Sequence, residues 1–217
     1  MTKLGLFGGA FDPIHMGHLR AAEEVREALG LDRVVFVPTA DPPHKESAQL
    51  APVADRLAMA RAATADHEAF AVSDFEAARP EKSYSLYTIR HFRETLPPDA
   101  ALHFILGADA FAEIATWHRW RDALAEANFV VMTRPGSRAA QPADALPAEV
   151  AAVYRRESDG VYAAGGARLL FVPVTGLDIA SSDIRRRLRE GRSIRYLVPA
   201  AAERYIVANR LYGAAFR

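Results

Sequence analysis

The feature that most constrains the fold of this chain is a regular alternation of short strand-like runs with helix-like segments. Several runs are apolar at consecutive positions, which is typical of strands covered on both faces of a sheet. The runs lie at residues 3–7, 33–37, 70–75, 102–106, 129–133 and 169–174. This alternation predicts an α/β fold with a doubly wound, mostly parallel sheet and right-handed crossovers.

Helical periodicity fills the segments between these runs. One apolar stripe extends over residues 19–29 and stops at Gly30, a residue that commonly ends helices. A second covers residues 86–96 and ends before Pro97. Residues 136–148 are rich in alanine and proline and are expected to form a surface excursion, whereas the tail is predicted to be helical over 181–189 and again over 199–209.

Charge and composition exclude several classes of function. The 27 basic side chains balance 27 acidic ones, so no basic surface for nucleic acid or an anionic membrane is expected. The absence of cysteine excludes disulfides, thiolate catalysis and cysteine zinc sites. No window holds 18 uninterrupted apolar residues and no long apolar signal region is present, so we expect a soluble, cytoplasmic protein.

The stretch LGLFGGAFDPIHMGHLRAAEE, starting at Leu4, runs from the first predicted strand through a loop into a helix. In open parallel sheets, ligands bind beyond the carboxyl ends of strands, where the strand order reverses. Gly8 and Gly9 would let backbone N–H groups approach a phosphate there. The spacing does not fit the dinucleotide fingerprint G-x-G-x-x-G, and the chain has no G-x-x-x-x-G-K-[ST] loop. NAD-dependent hydride transfer and P-loop chemistry therefore lose their sequence support.

His15 and His18 lie three residues apart at the start of this helix, on one face. The N-terminus of a helix disfavours positive charge, so two imidazoles there suggest a strongly negative ligand between them. Histidines that are satisfied locally are the common alternative. Metal ligation has less support, because the pattern H-E-x-x-H is absent.

The run His15-Met16-Gly17-His18 resembles the H-x-G-H signature of the nucleotidyltransferase superfamily. Within it, GGAFDPIHMGHL is similar to the opening G-G-T-F-D-P-x-H-x-G-H of the bacterial nicotinate-nucleotide adenylyltransferases, with Ala10 in place of the threonine. Five further stretches match that family in order, over essentially the whole chain. The resemblance implies a Rossmann-like nucleotidyltransferase fold in one domain, with a core over about 1–180 and a helical part over about 181–217.

The resemblance implies catalytic roles for His15, His18 and Arg185. In GLDIASSDIRRRL, the residues themselves place two hydroxyls at a helix start, where anions bind well, with Arg185 one turn further. The arginines at 186, 187 and 189 are expected to form a solvated face. The positions implied to bind ATP are Gly8, Gly9, Ala10, Phe11, Gly107, Asp109, Ser181 and Ser182. Asp109 could equally cap the helix that follows its strand.

A second group of positions is implied to contact a mononucleotide. They are His44 and Lys45 in VPTADPPHK, Ser85 and Leu86 in KSYSLYTI, Trp117 in ATWHRW, and Arg134 in TRPG. For His44 and Lys45, contact with the ATP phosphates is the alternative that the resemblance leaves open. Ser83 is a fair N-cap for the helix that follows it. Trp117 and Trp120 have the spacing of one helical face. We expect Trp120 in the core, while Trp117 is implied to stack on a nicotinate ring.

The family's reaction joins nicotinate mononucleotide and ATP into nicotinate adenine dinucleotide and pyrophosphate. Mg²⁺ is implied as a cofactor held mainly through the ATP phosphates, without a dedicated protein metal site. Transfer to nicotinamide mononucleotide and a non-catalytic nucleotide sensor on the same fold remain alternatives. Phosphopantetheine adenylyltransferases, which are shorter and lack W-x-x-W, and class I aminoacyl-tRNA synthetases, with a K-M-S-K-S loop, match less well.

Overall fold

The computed structural model describes residues 2–41, 50–79, 81–133, 146–158 and 160–214. Within these ranges, eight strands form one sheet in the order β3-β2-β1-β4-β5-β8-β7-β6. The strands are β1 (Lys3–Gly9), β2 (Arg33–Pro38), β3 (Phe70–Val72), β4 (Ala101–Gly107), β5 (Asn128–Thr133), β6 (Arg155–Ser158), β7 (Val161–Ala164) and β8 (Ala167–Pro173).

Helices flank the sheet throughout the described chain. They are α1 (Met16–Leu29), α2 (Val53–Thr64), α3 (Ser85–Thr95), α4 (Ala108–Ala112), α5 (Trp120–Glu126), α6 (Ala148–Ala151), α7 (Ser181–Arg189) and α8 (Ala200–Ala208). Short 3₁₀ turns lie at Ile114–Thr116 and Leu211–Gly213. None of the helices in the described ranges is long and apolar enough to cross a membrane.

The six predicted strands are the six parallel strands of the sheet, β1–β5 and β8. The mostly parallel, doubly wound architecture is thereby confirmed. The sequence did not predict β6 and β7, which extend the sheet antiparallel beyond β8. All four residues of β6 are exposed, so this strand carries no apolar pattern.

Apolar layers cover both faces of the sheet, as the continuous apolar runs predict. Leu6 belongs to the layer that contains α3 and α5, whereas its neighbour Phe7 belongs to the layer that contains α1, α2, α7 and α8. Successive side chains of a strand point to opposite faces, so one apolar run serves both layers. Gly30 ends α1 in the left-handed conformation, as predicted. The predicted tail helices are confirmed as α7 and α8, and most of 136–148 lies outside the described residues.

The strand order reverses beside β1. The chain passes from β1 to β2 and β3 on one side of the sheet, and later to β4 and β5 on the other. Strands β1 and β4 pair directly, with Phe7 opposite Ile105. The carboxyl ends of these two strands, at Gly9 and Gly107, therefore mark the place where such a sheet binds its ligands.

Candidate active site

A cavity of about 260 Å³ lies at the carboxyl ends of β1 and β4. Its wall includes residues predicted to bind ATP and residues predicted to contact the mononucleotide: Gly8, Gly9, Ala10, Gly107, Ser85, Leu86 and Trp117. The fold thus brings together predicted site residues that lie as far apart in the sequence as Gly8 and Trp117. A two-substrate reaction needs this kind of shared space.

The remaining predicted residues are distributed around this edge. Ser181 and Ser182 begin α7, with Ala180 as N-cap, and Arg185 follows one turn later. Asp109 is exposed in the first turn of α4, where Gly107 rather than Asp109 is the N-cap. Three residues predicted to contact the mononucleotide lie outside the described residues: His44, Lys45 and Arg134.

His15 and His18 stand at the start of α1, with His15 as N-cap. Their rings stack, with centroids 3.6 Å apart and an interplanar angle of 25°. The prediction of a negative ligand between the two imidazoles is therefore wrong, because parallel rings at this separation leave no room for one. An anion can meet only the edges of the pair.

The hydrogen bonding of His18 defines which ring nitrogen can donate. The His15 backbone N–H donates to His18 Nδ1 over 3.2 Å. An Nδ1 that accepts carries no proton, so the ring proton of the neutral imidazole lies on Nε2. A neutral ring also suits a helix N-terminus better than a cation. His18 is thus oriented as a donor through Nε2–H, and it also helps to cap its own helix.

Gly17 makes the stacked pair possible. A Cβ at this position would lie 3.0 Å from Nδ1 and 3.1 Å from Cε1 of His15. Such contacts are tighter than usual, so the His15 ring would have to shift by a few tenths of an ångström. The glycine of H-x-G-H therefore lets the His15 ring lie close against the start of α1.

We expect Gly17→Ala to lower kcat by about tenfold, because a displacement of 1 Å can cost about 100-fold and the ring must move by less. The melting temperature should not fall, since alanine favours a helix over glycine by up to about 1 kcal/mol. Steady-state kinetics and thermal melting measure both effects. Gly166→Ala is the control, because a Cβ there meets no atom within 4 Å. Unchanged kcat in Gly17→Ala would show that the His15 ring position does not matter.

The glycines that end β1 are constrained by aromatic packing. A Cβ at Gly8 would lie 3.2 Å from the Phe104 ring, and one at Gly9 would lie 3.1 Å from the Phe11 ring. Phe11 has a left-handed backbone (φ 47°) and is 2% exposed, so its side chain belongs to the core. Its ring meets the His18 ring edge to face, with centroids 5.1 Å apart. Phe11 therefore helps to orient His18.

Helix α7 is attached to the loop after β1. Arg185 Nη1 donates to the Asp12 carbonyl oxygen over 2.6 Å, and Ser181 Oγ donates to the Pro13 carbonyl oxygen over 2.9 Å. These bonds place the α7 N-terminus beside the loop that leads into α1. The expectation that Ser181, Ser182 and Arg185 act near the histidine motif thus has a geometric basis.

Asp12 connects this region to the C-terminal segment. It is 2% exposed, and its Oδ1 accepts from the Tyr212 hydroxyl over 2.6 Å and from the Ala51 N–H over 3.2 Å. Its Oδ2 lies 3.4 Å from Arg185 Nη1. Burial, together with the bond to Asp12, raises the pKa of Tyr212, so this hydroxyl remains a donor.

The opposite wall of the cavity is formed by the start of α3. Tyr84 is the N-cap, so the prediction that Ser83 caps α3 is wrong. Ser83 Oγ instead accepts from the N–H groups of Ala40 and Asp41, over 3.1 and 3.3 Å. The N–H groups of the first helical turn lack intrahelical acceptors, so those at the α3 N-terminus suit a carboxylate.

Trp117 lines the cavity beside this helix start. It meets Phe104 edge to face with centroids 6.2 Å apart. Trp120 is 8% exposed, which confirms its core position. The two tryptophans do not share one helical face, because Arg119 adopts a left-handed backbone (φ 50°) between them. His118, for which no role was predicted, also lines the cavity and stacks on Tyr84.

Glu76 is a buried acid on the cavity wall, 7% exposed. Burial raises its pKa, against the opposing effect of hydrogen bonds from Thr88 and Ser83. The Thr88 hydroxyl donates to Glu76 Oε1 over 2.6 Å. This acid therefore links Thr88 of α3 to Ser83, and no motif in the sequence predicted this link.

Of the other arginines of α7, Arg186 and Arg189 are exposed, as expected for a solvated face. Arg186 contacts Asp183 and Glu190, and Arg187 contacts Asp183 over 2.9 Å. In the part of the chain that the structure describes, no group of three or more histidine, aspartate or glutamate side chains is arranged to hold a metal ion.

Similarity to known proteins extends over nearly the whole chain. The model of the cytidylyltransferase-like family matches residues 6–187. A protein from Pelobacter propionicus named probable nicotinate-nucleotide adenylyltransferase is 48% identical over 212 residues, covering 97% of this chain and 98% of that protein. The protein of the same name from Geobacter sulfurreducens is 47% identical with the same coverage.

A solved structure shares the fold at low identity. The nicotinic acid mononucleotide adenylyltransferase of Plasmodium falciparum, complexed with NaAD, matches with a TM-score of 0.74 at 16% identity, covering 99% of both chains. The same enzyme complexed with APC matches with a TM-score of 0.73, at the same identity and coverage. This likeness shows the fold, a Rossmann-like nucleotidyltransferase sheet.

Proposed function

Because the chain belongs to the cytidylyltransferase-like family, we infer that it transfers the adenylyl group of ATP to nicotinate mononucleotide, a step of NAD biosynthesis. The observation that carries this function is the shared cavity. Glycines at the ends of β1 and β4 form one side, and the α3 start with Trp117 forms the other. A nucleoside triphosphate and a pyridine mononucleotide would meet there.

The nucleophile is the phosphate of the mononucleotide. A phosphate oxygen forms a bond to the α-phosphorus of ATP, and the bond to the bridging oxygen breaks and leaves its electrons on pyrophosphate. The second ionisation of a phosphate monoester lies near pH 6, so the nucleophile is mostly dianionic at neutral pH. No side chain has to remove a proton. Catalysis rests on orientation, which can supply roughly 7–11 kcal/mol, and on fixed hydrogen-bond donors.

On the ATP side, we propose that His18 Nε2–H and the edge of the stacked His15 ring donate to phosphate oxygens. Arg185 would hold the β- and γ-phosphates, together with the N–H groups and hydroxyls of Ser181 and Ser182. The bonds between α7 and the loop at Asp12 and Pro13 support this grouping, because they join the two helix starts.

On the mononucleotide side, we propose that the pyridine carboxylate binds at the start of α3, near Ser85 and Leu86. The N-terminus of this 11-residue helix favours a carboxylate over a neutral amide. Trp117 would stack on the pyridinium ring, a contact worth up to about 2 kcal/mol when it is desolvated. The acid is therefore the expected substrate.

Mg²⁺ is proposed to arrive with ATP. The carboxylate of Asp12 is already engaged by Tyr212 and Ala51 and lies beside Arg185, whereas Asp109 is an exposed oxygen donor at the end of β4. With Asp12 engaged, the exposed Asp109 carboxylate could hold a hydrated ion whose other ligands would be water and phosphate oxygens of ATP. When bound, the ion would neutralise charge on the leaving pyrophosphate.

We expect pyrophosphate release when the protein is mixed with ATP, Mg²⁺ and nicotinate mononucleotide. The kcat/KM for nicotinate mononucleotide should exceed the kcat/KM for nicotinamide mononucleotide by about 10-fold or more, because a charge-assisted hydrogen bond is worth about 1.5–3 kcal/mol. A coupled pyrophosphate assay with both mononucleotides measures the ratio. A preference for the amide would contradict the acid assignment, and no release with either would favour a nucleotide sensor.

A further inference from the structure

Arg56 in α2 is a fully buried arginine, 1% exposed, close to the cavity. Its guanidinium donates to four backbone carbonyl oxygens. Nε donates to Ala51 over 2.9 Å, Nη1 to Ala10 over 2.7 Å and to Thr39 over 2.6 Å, and Nη2 to Ala40 over 3.3 Å. The planar guanidinium group, with its five N–H donors, can reach acceptors in several directions at once.

Burying this charge is costly. Burial lowers the pKa of Arg56, against the opposing effect of Asp12, Tyr212 and Glu76 nearby. Arginine nevertheless stays protonated in proteins, so the cost is borne by the folded state. An apolar side chain at this position of α2 would fill the same volume without the cost of burying a charge. Packing alone therefore does not explain why an arginine is buried here, and its guanidinium is expected to have a further role.

The acceptors of Arg56 belong to separate segments that meet at the functional edge of the sheet. Ala10 follows β1, whereas Thr39 and Ala40 follow β2, and Ala51 leads into α2. Ala10 and Thr39 both line the cavity. A single nitrogen, Nη1, bridges the carbonyls of these two residues. The Thr39 N–H already donates to the Gly9 carbonyl oxygen over 2.9 Å, and Arg56 braces the two loops just beyond this bond.

The second loop is also held from its other side. Ser83, at the start of α3, accepts from the N–H groups of Ala40 and Asp41, and its own N–H donates to the Asp41 carbonyl oxygen over 3.1 Å. Arg56 binds the carbonyl oxygens of the same turn. Residues 39–41 are thus held between α2 and α3. Arg56 also connects them to the loop after β1.

We propose that Arg56 is a positioning residue for adenylyl transfer, which holds the loop after β1 at a fixed distance from Thr39 and Ala40 and, through them, from the α3 start where the mononucleotide is proposed to bind. This inference rests on the proposed function. Arg56 touches neither substrate; it aligns the attacking phosphate with the α-phosphorus by aligning the two walls of the cavity. Its loss should therefore affect kcat more than KM, because each substrate keeps its own contacts.

The test uses the full chain with Arg56→Lys and Arg56→Ala. Lysine keeps the charge and the stem but lacks the fork, so we expect kcat to fall about 10- to 100-fold, since misplacement by 1 Å can cost about 100-fold. KM for both substrates should stay near the wild-type values. Arg61→Lys, an exposed residue of α2 that pairs with Asp74, is the matched control.

Chemical rescue separates positioning from stability. Guanidinium ion at low, non-denaturing concentration should restore part of the kcat of Arg56→Ala, whereas urea, which is planar but uncharged, should not. A variant that is merely destabilised would lose activity when guanidinium, a denaturant, is added. Wild-type kcat in Arg56→Lys, no rescue of Arg56→Ala, or failure of both variants to fold would overturn the proposal. Failure of the wild type to release pyrophosphate would instead count against the proposed function.

Discussion

His18→Ala should lower kcat by about 10²–10³-fold, the usual cost of removing one fixed donor to charge that develops in a transition state. The donor is Nε2–H, because Nδ1 accepts from the His15 backbone N–H. The affinity for nicotinate mononucleotide should change little, since that substrate is expected at the α3 start. Stopped-flow turnover and mononucleotide binding by calorimetry measure the two quantities separately.

The alanine variant also loses the acceptor that caps α1, at a cost of about 1 kcal/mol. His18→Asn separates the two roles, because an Asn Oδ1 can replace the Nδ1 acceptor while the Nε2–H donor is lost. We expect His18→Asn to be near wild type in stability and to lose a similar amount of kcat. His67→Ala is the control, because this ring packs on Phe70 and pairs with Glu23, at the amino end of β3. Wild-type turnover in His18→Asn would remove His18 from the mechanism.

The parallel part of the fold could be predicted because strands buried on both faces leave long apolar runs. Phe36 and Val37 illustrate this, since both are fully buried but on opposite layers. The hairpin of β6 and β7 left no such trace. Strand β6 is exposed along its length and is held by backbone pairing with β7, to which side chains contribute little.

The candidate site was predictable only where its residues lie close together in the sequence. The spacing of His15 and His18 correctly placed both at the α1 start, yet it could not show that the rings stack on each other. Stacking depends on Gly17 and on Phe11, whose left-handed backbone turns its ring toward His18.

Residues whose hydrogen-bond partners are backbone atoms far away in the sequence could not be recognised from any sequence pattern. Arg56 and Arg61 look alike in PVADRLAMARAAT, but the first is buried against four carbonyl oxygens and the second forms an exposed ion pair. The difference arises because the carbonyl oxygens of Ala10, Thr39 and Ala40 lie against Arg56 and not against Arg61. The sequence of α2 alone does not contain that information.

Arg185→Ala is expected to lower kcat by about 10²–10³-fold, comparable to the loss for His18, because a charged donor would be removed from the leaving pyrophosphate. Arg185 Nη1 is engaged with the Asp12 carbonyl oxygen, and a guanidinium has further N–H donors for a phosphate. Lysine cannot make both contacts in the same geometry. Arg185→Lys should therefore lose about 10-fold or more in kcat/KM for ATP, since a hydrogen bond to a charged group is worth about 1.5–3 kcal/mol.

The neighbouring arginine provides the control for this prediction. Arg186 lies on the same helix and pairs with Asp183 and Glu190 at the surface, so Arg186→Lys should keep wild-type kinetics. Because Arg185 also fixes α7 to the loop at Asp12, its alanine variant is expected to melt at a lower temperature. The lysine variant separates the effects: if it retains wild-type kcat/KM for ATP while Arg185→Ala is only less stable, then Arg185 anchors α7 and does not bind phosphate. A loss in Arg185→Lys at unchanged melting temperature would instead support direct contact with ATP, because anchoring alone predicts no kinetic effect in a fully folded variant.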